Sequence, residues 1–228
     1  MQGREVLITG AGGGLGIEVT AAALQAGARV TAPTHGTDAE TLRRRFGDEP
    51  ALRCVDASMT DLADVERVVA SMPRVDAVLH LVGGFTMGAA HEVDGDTVGH
   101  MLALNVSSTI FVLRTALARM RADGYGRIVT VASRNALEPG AQTALYGACK
   151  AAVLNYTQAI AEETRELDIT ANSVLPSIID TPANRAAMGT EHTDLWVNAA
   201  SLAKTIIRLG QAASRDLRGT AVKVYGRV

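Results

Sequence analysis

The sequence predicts an α/β fold with a doubly wound, mostly parallel sheet of seven strands and helices on both faces. Short runs rich in Val, Ile and Leu alternate with longer segments of helical period. This alternation is typical of right-handed βαβ units. A glycine-rich turn between the first strand and the first helix supports the same fold, because such turns bind nucleotides in doubly wound sheets.

The elements follow in order along the chain. The apolar runs predict strands at Val6–Thr9, Arg29–Ala32, Leu52–Val55, Val75–Val82, Arg127–Ala132, Thr170–Leu175 and Ala221–Tyr225. The segments between them predict helices at Gly14–Ala26, Thr37–Phe46, Thr60–Met72, Thr97–Arg121, Thr143–Glu166 and Ser201–Arg215. Residues 176–200 interrupt the alternation, and long excursions of this kind are often lids or substrate loops. We predict one domain over residues 1–228, with a substrate loop at 176–200; a mobile insertion is the alternative.

Composition excludes several classes of function. Hydrophobic residues make up 47% of the chain and charged residues 20%, which is a globular balance. The net charge of −2 provides no basic field for nucleic acid or an acidic membrane. Cys54 and Cys149 cannot form a disulfide framework, and no Cys/His cluster indicates a metal. With no room for a signal peptide before Glu5 and no apolar stretch of membrane-spanning length, we expect a cytoplasmic protein.

The glycine turn follows Val6-Leu7-Ile8-Thr9 and reads Gly10-Ala11-Gly12-Gly13-Gly14-Leu15-Gly16. Residues without Cβ permit a tight turn and let a pyrophosphate approach the backbone N–H groups of a helix N-terminus. The position after a strand and before a helix is the context that a dinucleotide site requires. We therefore predict a Rossmann-type site in which Gly10, Gly14, Leu15 and Gly16 bind the cofactor.

Tyr146 and Lys150 lie one helical turn apart, so their side chains share a face. A free phenol has a pKa of about 10. An adjacent cation draws that pKa towards neutrality, as general acid–base catalysis requires. Ser133 follows the run Ile128–Ala132, at the sheet edge where ligands bind. The Tyr–Lys pair alone is common on surface helices, but with Ser133 and the glycine turn it predicts catalysis.

The spacing of Thr9, Gly10, Gly14 and Gly16, together with the Ser–Tyr–Lys set, resembles the short-chain dehydrogenase/reductase family in its short single-domain branch. The resemblance covers essentially the whole chain. It implies hydride transfer between a nicotinamide and a carbonyl or secondary alcohol of a small organic substrate. In such an enzyme Tyr146 exchanges the proton, Ser133 binds the oxygen, and Lys150 binds the nicotinamide ribose.

The resemblance assigns a further catalytic residue, Asn105, and further cofactor residues. Asn105 opens its helix and holds a water of the proton relay, and Asp56 with Ala57 contacts the adenine ring. Gly83 permits close approach of the cofactor. The remaining expected contacts, near the carboxamide and the pyrophosphate, are Pro176, Ile179 and Thr181.

The sequence departs from the family pattern at two places. His80-Leu81-Val82-Gly83 replaces the usual Asn-Asn-Ala-Gly, so another group must take over the role of the asparagines in supporting the sheet. Ser177 replaces a usual glycine, which leaves the local backbone geometry open.

Cofactor choice is predicted from the end of the second strand, where an acid binds the 2′-OH of NAD. Ala32-Pro33-Thr34-His35-Gly36 contains neither an acid nor an arginine. We therefore favour NADP(H) over NAD(H), with Thr34, His35 and Arg43 as groups for the 2′-phosphate. Gly13 argues the other way, because many NADP-dependent members carry a basic residue there.

The substrate is predicted only in outline. Phe85, Met188 and Trp196 are candidate apolar contacts, although core packing is an equal alternative. Arg134 and Arg185 are candidate contacts for an anionic substrate.

Three other functions are alternatives to this prediction. Leu81–Phe85 and Leu175–Arg185 resemble dihydropteridine reductases, which leaves such an enzyme as an alternative. A nucleotide-binding sensor without catalysis is a second alternative. The longer epimerase/dehydratase branch is disfavoured by the glycine spacing.

Helices Thr97–Arg121 and Thr143–Glu166 are the ones that the family pairs across a twofold axis. We expect a homodimer or homotetramer.

Overall fold

Seven parallel strands form the central sheet of the computed structural model, which describes residues 1–228. The strand order is β3-β2-β1-β4-β5-β6-β9, and every pairing in it is parallel. The strands are β1 (Glu5–Thr9), β2 (Arg29–Thr34), β3 (Leu52–Asp56), β4 (Ala77–His80), β5 (Tyr125–Val131), β6 (Asp168–Pro176) and β9 (Ala221–Val224). The order reverses next to β1, between β1 and β4, which is where doubly wound sheets bind ligands. The predicted fold class is confirmed.

Helices cover both faces of the sheet and create two apolar cores. On one face lie α1 (Gly14–Gln25), α2 (Asp38–Phe46) and α8 (Ala199–Leu209). On the other face lie α3 (Leu62–Ala70), α5 (Ser108–Asp123) and α6 (Ala144–Glu163). Side chains of β1 alternate between the cores, with Val6 and Ile8 in the first and Leu7 in the second.

The predicted loop 176–200 contains short regular elements. β7 (Ile179–Asp180) pairs in parallel with β8 (Val197–Asn198) as a separate two-stranded sheet. Between them, α7 (Pro182–Met188) begins with Thr181 as its N-cap, whose Oγ1 accepts a 3.2 Å hydrogen bond from Asn184 N–H. A 3-10 turn spans Thr193–Leu195. The following helix, α8, ends six residues before the predicted Arg215, and a 3-10 turn at Ala212–Ser214 replaces its last turn.

The predicted helix Thr97–Arg121 is interrupted. α4 (Gly95–Met101) passes into a π-helical segment at Leu102–Ser107 before α5 begins. The helical stretch Gly95–Asp123 has 29 residues, and its length and apolar composition alone would allow it to cross a membrane. The expectation that no stretch reaches that length is therefore wrong. A core helix passes the same test, and Val112, Leu113 and Met120 are fully buried here.

The side chain of His80, at the end of β4, supports the sheet where asparagines were expected. Its Nδ1 shares a 2.8 Å hydrogen bond with Thr9 Oγ1 on β1, and that oxygen also accepts a 3.3 Å bond from Leu81 N–H. These bonds join the end of β4 to the start of the glycine turn. Burial, aided by the charge of Lys150, lowers the pKa of His80 to about 3, so the imidazole is neutral.

We predict that the free energy of unfolding falls as the pH drops below 6.5, the ordinary pKa of histidine. The unfolded chain then binds a proton that the folded state excludes down to a pH of about 3. Binding of this proton by the unfolded chain lowers the free energy of unfolding by about 1.4 kcal/mol for each pH unit in that range. Urea unfolding between pH 4.5 and 8 measures the slope. The control is His80→Asn, which keeps a polar partner for Thr9 and should lose this part of the slope; equal slopes in both proteins would contradict the prediction.

Candidate active site

The glycine turn is packed too tightly for side chains. Gly10 has a φ of +69°, in the left-handed region that favours glycine. A Cβ on Gly16 would collide with the carbonyl oxygen of Gly10, and a Cβ on Gly14 would come within 2.8 Å of Thr181 Cβ. Gly13, the N-cap of α1, provides no side-chain hydrogen bond, and no acid lies in the first turn. The N–H groups at this helix end therefore suit the pyrophosphate of a dinucleotide.

A cleft of about 380 Å³ continues from the turn along the carboxyl ends of β2, β3 and β4. Ala57 lies in its wall, but Asp56 does not. Asp56 is exposed at the end of β3, and its carbonyl oxygen accepts a 2.8 Å hydrogen bond from Arg67. The wall is formed by Gly10, Pro33, His35, Asp38, Ala57, Ser58, Met59, Thr60, Val82, His100, Ala103 and Leu104.

The end of β2 differs from the sequence expectation. Thr34 is buried, and its hydroxyl donates a 3.3 Å hydrogen bond to Val55 O, so it does not face a 2′-phosphate. His35 does line the cleft. Arg43 lines a separate small pocket together with Cys54. Two of the three groups proposed for the phosphate are therefore placed elsewhere.

Sequence reasoning missed Asp38, the first residue of α2. Its Oδ2 accepts a 3.3 Å hydrogen bond from His35 N–H, and a Cβ on Gly12 would collide with its carboxyl group. The carboxylate thus lies between the glycine turn and the end of β2. The signal was an acid in the first turn of the second helix, four residues beyond the position where an acid is usually sought.

Lys150, Asn105 and Gly83 converge at the carboxyl edge of the sheet. The Lys150 side chain is buried, and its Nζ donates a 3.0 Å hydrogen bond to Val131 O. A Cβ on Gly83 would lie 2.8 Å from Lys150 Nζ and 2.9 Å from Asn105 Oδ1. Glycine is therefore required for this approach. Lys150 Nζ lies 5.9 Å from the centre of the Tyr146 ring.

Asn105 is buried within the π-helical segment, where the wider turn frees backbone groups. Its Oδ1 accepts a 3.2 Å hydrogen bond from Gly84 N–H, and its Nδ2 donates to Gly84 O at 3.2 Å and to Met101 O at 3.1 Å. The side chain therefore fixes the loop after β4 against the helix. This accounts for an asparagine inside a helix, where it is a mediocre helix former.

Ser133 follows β5, and Tyr146 lies in the first turn of α6. The buried Ser133 hydroxyl accepts a 3.2 Å hydrogen bond from Asn135 N–H. Burial raises the pKa of Tyr146, and a hydrogen bond with Ser133 opposes part of the rise. Burial also lowers the pKa of Lys150 to about 8. Lys150, whose Nζ lies 5.9 Å from the centre of the phenol ring, does not produce the expected lowering of the Tyr146 pKa, which burial raises and only the Ser133 hydrogen bond opposes.

The candidate substrate contacts lie in different surroundings. The Phe85 ring packs edge-on against Tyr146 with 4.9 Å between ring centres, and Met188 is exposed at the end of α7. Trp196 is half-buried beside β8, where Gly226 packs against its backbone. Arg134 is already engaged, by hydrogen bonds to Glu138 and Val228 O and by the ring of Tyr225. Its predicted role in binding an anionic substrate is therefore not supported.

Ser177 fits where a glycine was expected. Positive φ values outside glycine occur at Gln142 and His192, so Ser177 needs no left-handed backbone. Its Oγ donates a 2.6 Å hydrogen bond to Tyr225 O, which ties the end of β6 to the segment after β9. This bond holds the backbone segment that carries the predicted cofactor contacts Pro176, Ile179 and Thr181.

Comparison with known proteins identifies the family. A family model described as short chain dehydrogenase matches residues 4–192. A 7alpha-hydroxysteroid dehydrogenase of Bacteroides fragilis is 27% identical, over 97% of this chain and 92% of its own. A short-chain type dehydrogenase/reductase from Mycobacterium ulcerans superposes with a TM-score of 0.90 at 26% identity, covering 100% of this chain and 90% of the other. The structure of ElxO with NADP bound shares the fold, with a TM-score of 0.90 at 23% identity over 99% and 98%.

With this match over most of its length, the chain belongs to the short-chain dehydrogenase family, and it is an NAD(P)-dependent oxidoreductase that transfers a hydride between a nicotinamide and an alcohol or ketone.

Proposed function

We propose that Tyr146 gives a proton to the carbonyl oxygen during reduction and takes it back during oxidation. The observation that carries this proposal is the meeting of the Tyr146 phenol, the Ser133 hydroxyl and the buried Lys150 ammonium at one sheet edge. Ser133 donates a hydrogen bond to the same oxygen and stabilises the charge that develops there. When bound, the nicotinamide supplies or receives the hydride.

The protonation states suit reduction at neutral pH. The raised pKa of Tyr146 keeps its proton in place for donation. Lys150, with a pKa of about 8, is then charged and stabilises the phenolate that remains. Asn105 holds the loop beside Lys150, and we propose that it connects this ammonium to solvent through a water.

The cofactor lies, in this proposal, along the cleft and the glycine turn, and Lys150 binds its ribose. Residues 176–200 form the substrate loop of one domain that spans residues 1–228, with Phe85, Met188 and Trp196 on the substrate side. The close approach of Gly14 to Thr181 supports a contact between the Thr181 hydroxyl and a pyrophosphate bound at the glycine turn. The proposed cofactor contacts are Gly10, Gly14, Leu15, Gly16, His35, Ala57, Gly83, Tyr146, Lys150, Pro176, Ile179 and Thr181.

Catalysis is favoured over the two alternatives. A nucleotide-binding sensor needs neither the phenol nor the ammonium, yet both are present and are held by buried contacts. Reduction of a carbonyl requires a hydroxyl beside the phenol, and Ser133 provides it. A dihydropteridine reductase-like enzyme does not need that hydroxyl. Two unpaired cysteines are consistent with the cytoplasmic location that we propose.

Tyr146→Phe is predicted to lower kcat for carbonyl reduction by about 10²- to 10⁴-fold, because the proton donor is lost. Stopped-flow and steady-state rates measure the loss. Fluorescence titration should show unchanged binding of the reduced cofactor. The matched control is Tyr125→Phe at the opposite, amino-terminal end of β5, which should keep wild-type rates. Most of the activity surviving in Tyr146→Phe would refute the assignment.

Cofactor choice depends on Asp38. The sequence favours NADP(H), but the structure places a carboxylate beside Gly12 and directs Thr34 elsewhere. A carboxylate accepts hydrogen bonds from a ribose diol and repels a 2′-phosphate. We therefore propose NAD(H) as the preferred cofactor, with His35 beside the adenosine ribose.

We predict that Asp38→Asn raises kcat/KM for NADPH at least tenfold and lowers it for NADH, because repulsion of the phosphate is removed. Kinetics with both cofactors and one ketone measure the change. The control is Asp48→Asn, an exposed acid beyond α2. A wild-type enzyme that prefers NADPH, or an Asp38→Asn variant with unchanged preference, would contradict the proposal.

We propose that the chain forms a homodimer, or a homotetramer containing this dimer, through the outer faces of α5 and α6. These faces form an apolar groove whose members include Ile110, Ala152, Tyr156 and Ala159. Small residues such as Ala152 let two helices approach closely.

Ala152→Arg is predicted to convert the dimer or tetramer to smaller species, because a guanidinium would be buried between the helices. Light scattering at micromolar concentration measures the mass. Ala70→Arg, at the exposed end of α3, is the matched control. A monomeric wild type would contradict the proposal.

A further inference from the structure

We infer that this active site takes a neutral, apolar ketone or the corresponding secondary alcohol, and that the loops around it exclude carboxylate and phosphate substrates. The inference rests on the proposed roles of Ser133 and Tyr146, because these residues define where the reacting oxygen lies. Three segments leave the carboxyl ends of β4, β5 and β6, the edge of the sheet at which Ser133 and Tyr146 lie. They are residues 83–100, 133–145 and 177–198, hereafter the rim.

The rim carries excess negative charge. Its seven acidic residues face only two basic residues, Arg134 and Arg185. Two further cations, Lys223 and Arg227, reach it from the end of the chain and pair with Glu138 and Asp194. The acidic residues are Glu92, Asp94, Asp96, Glu138, Asp180, Glu191 and Asp194.

Both rim arginines are occupied by acids. Arg185 donates two hydrogen bonds, of 2.5 and 2.7 Å, to the carboxylate of Asp180, and these lower the pKa of that carboxyl group. Arg134 donates a 2.7 Å bond to Glu138 and also lowers its pKa. An anionic substrate would compete with these carboxylates for either guanidinium.

The remaining acids have no arginine or lysine partner. Glu92 lies 3.8 Å from His91, which is an ion pair only when that histidine is protonated. Asp94 caps α4, and its hydrogen bond from Thr97 N–H lowers its pKa, so it is ionised at neutral pH. Asp96 and Glu191 are exposed. An approaching anion therefore meets net repulsion.

Exposed apolar side chains are concentrated on the rim. The protein exposes seven large hydrophobic residues, and four of them lie on the rim: Phe85, Met87, Leu137 and Met188, between 45% and 60% exposed. Phe85 contacts the Tyr146 ring directly. Gly88 N–H donates a 2.9 Å bond to Gln142 O, which fixes the Met87 loop to the segment before α6. Exposed apolar surface beside reacting groups is typical of a binding site for an apolar ligand.

A matched pair of ketones tests the inference. Methyl 4-acetylbenzoate and 4-acetylbenzoate share the acetyl group and the aromatic ring, and differ in the negative charge. We expect the ester to have a kcat/KM at least tenfold higher than the acid at low salt. The ratio should narrow in 0.5 M NaCl, because the repulsion arises between exposed charges.

Variants identify the source of the selectivity. The triple variant Glu92→Gln, Asp96→Asn, Glu191→Gln should lower the ester-to-acid ratio several-fold. The matched triple variant Asp48→Asn, Glu163→Gln, Glu166→Gln removes the same charge from exposed positions at or beyond the C-terminal ends of α2 and α6 and should leave the ratio unchanged. Equal ester-to-acid ratios of kcat/KM in the two triple variants would show that the rim charges do not cause the selectivity.

Binding separates this inference from the catalytic proposal. Saturation-transfer NMR on the enzyme with reduced cofactor should show the ester bound more tightly than the acid, and Phe85→Ala should weaken the ester signal. If the ester binds without being reduced, the proposed catalytic roles fail and the substrate class stands. If the acid binds or reacts as well as the ester, or if neither ketone binds, the substrate class is wrong.

Discussion

The ammonium group of Lys150 is buried at the carboxyl edge of the sheet without a carboxylate to pair with it. Burial of an unpaired charge costs several kcal/mol unless backbone dipoles solvate it. Val131 O accepts its hydrogen bond at 3.0 Å, and its pKa falls to about 8. A carboxylate partner would relieve that cost but would neutralise the charge that a phenolate needs. The site therefore retains an expensive group for a chemical reason, and the surrounding elements are arranged to permit it.

Three local features follow from this constraint. Gly83 has no side chain because the space of its Cβ belongs to Lys150 Nζ and Asn105 Oδ1. The helix carrying Asn105 widens to a π-turn, which brings that amide to both polar groups of Gly84. His80 stays neutral because its burial, and to a smaller extent the charge of Lys150, lower its pKa. Three features thus accommodate the buried ammonium of Lys150: Gly83, the π-turn at Asn105 and the neutral imidazole of His80.

The sequence was sufficient for features that depend on local spacing. The alternation of strands and helices, the glycine turn, and the i, i+4 placement of Tyr146 and Lys150 follow from periodicity along the chain. It was insufficient where partners come from distant segments. Arg134 is held by a residue 94 positions away, and the hydroxyl of Thr34 by a strand 21 positions away. Asp38 lies in the cleft because α2 packs its first turn against Gly12, which no pattern within α2 indicates.

Reaction and selectivity are consequently encoded in different parts of the structure. The groups that we propose to react lie on or next to regular elements, where buried contacts fix them. The rim consists of loops and short helices whose charges are exposed, so its residues can change without disturbing Lys150. The raised pKa of Tyr146 links the two parts. In the mechanism that we propose, an apolar substrate over Phe85 would exclude water from the phenol and so keep the proton on Tyr146 until the carbonyl oxygen takes it, whereas a carboxylate would bring water and charge to the same place.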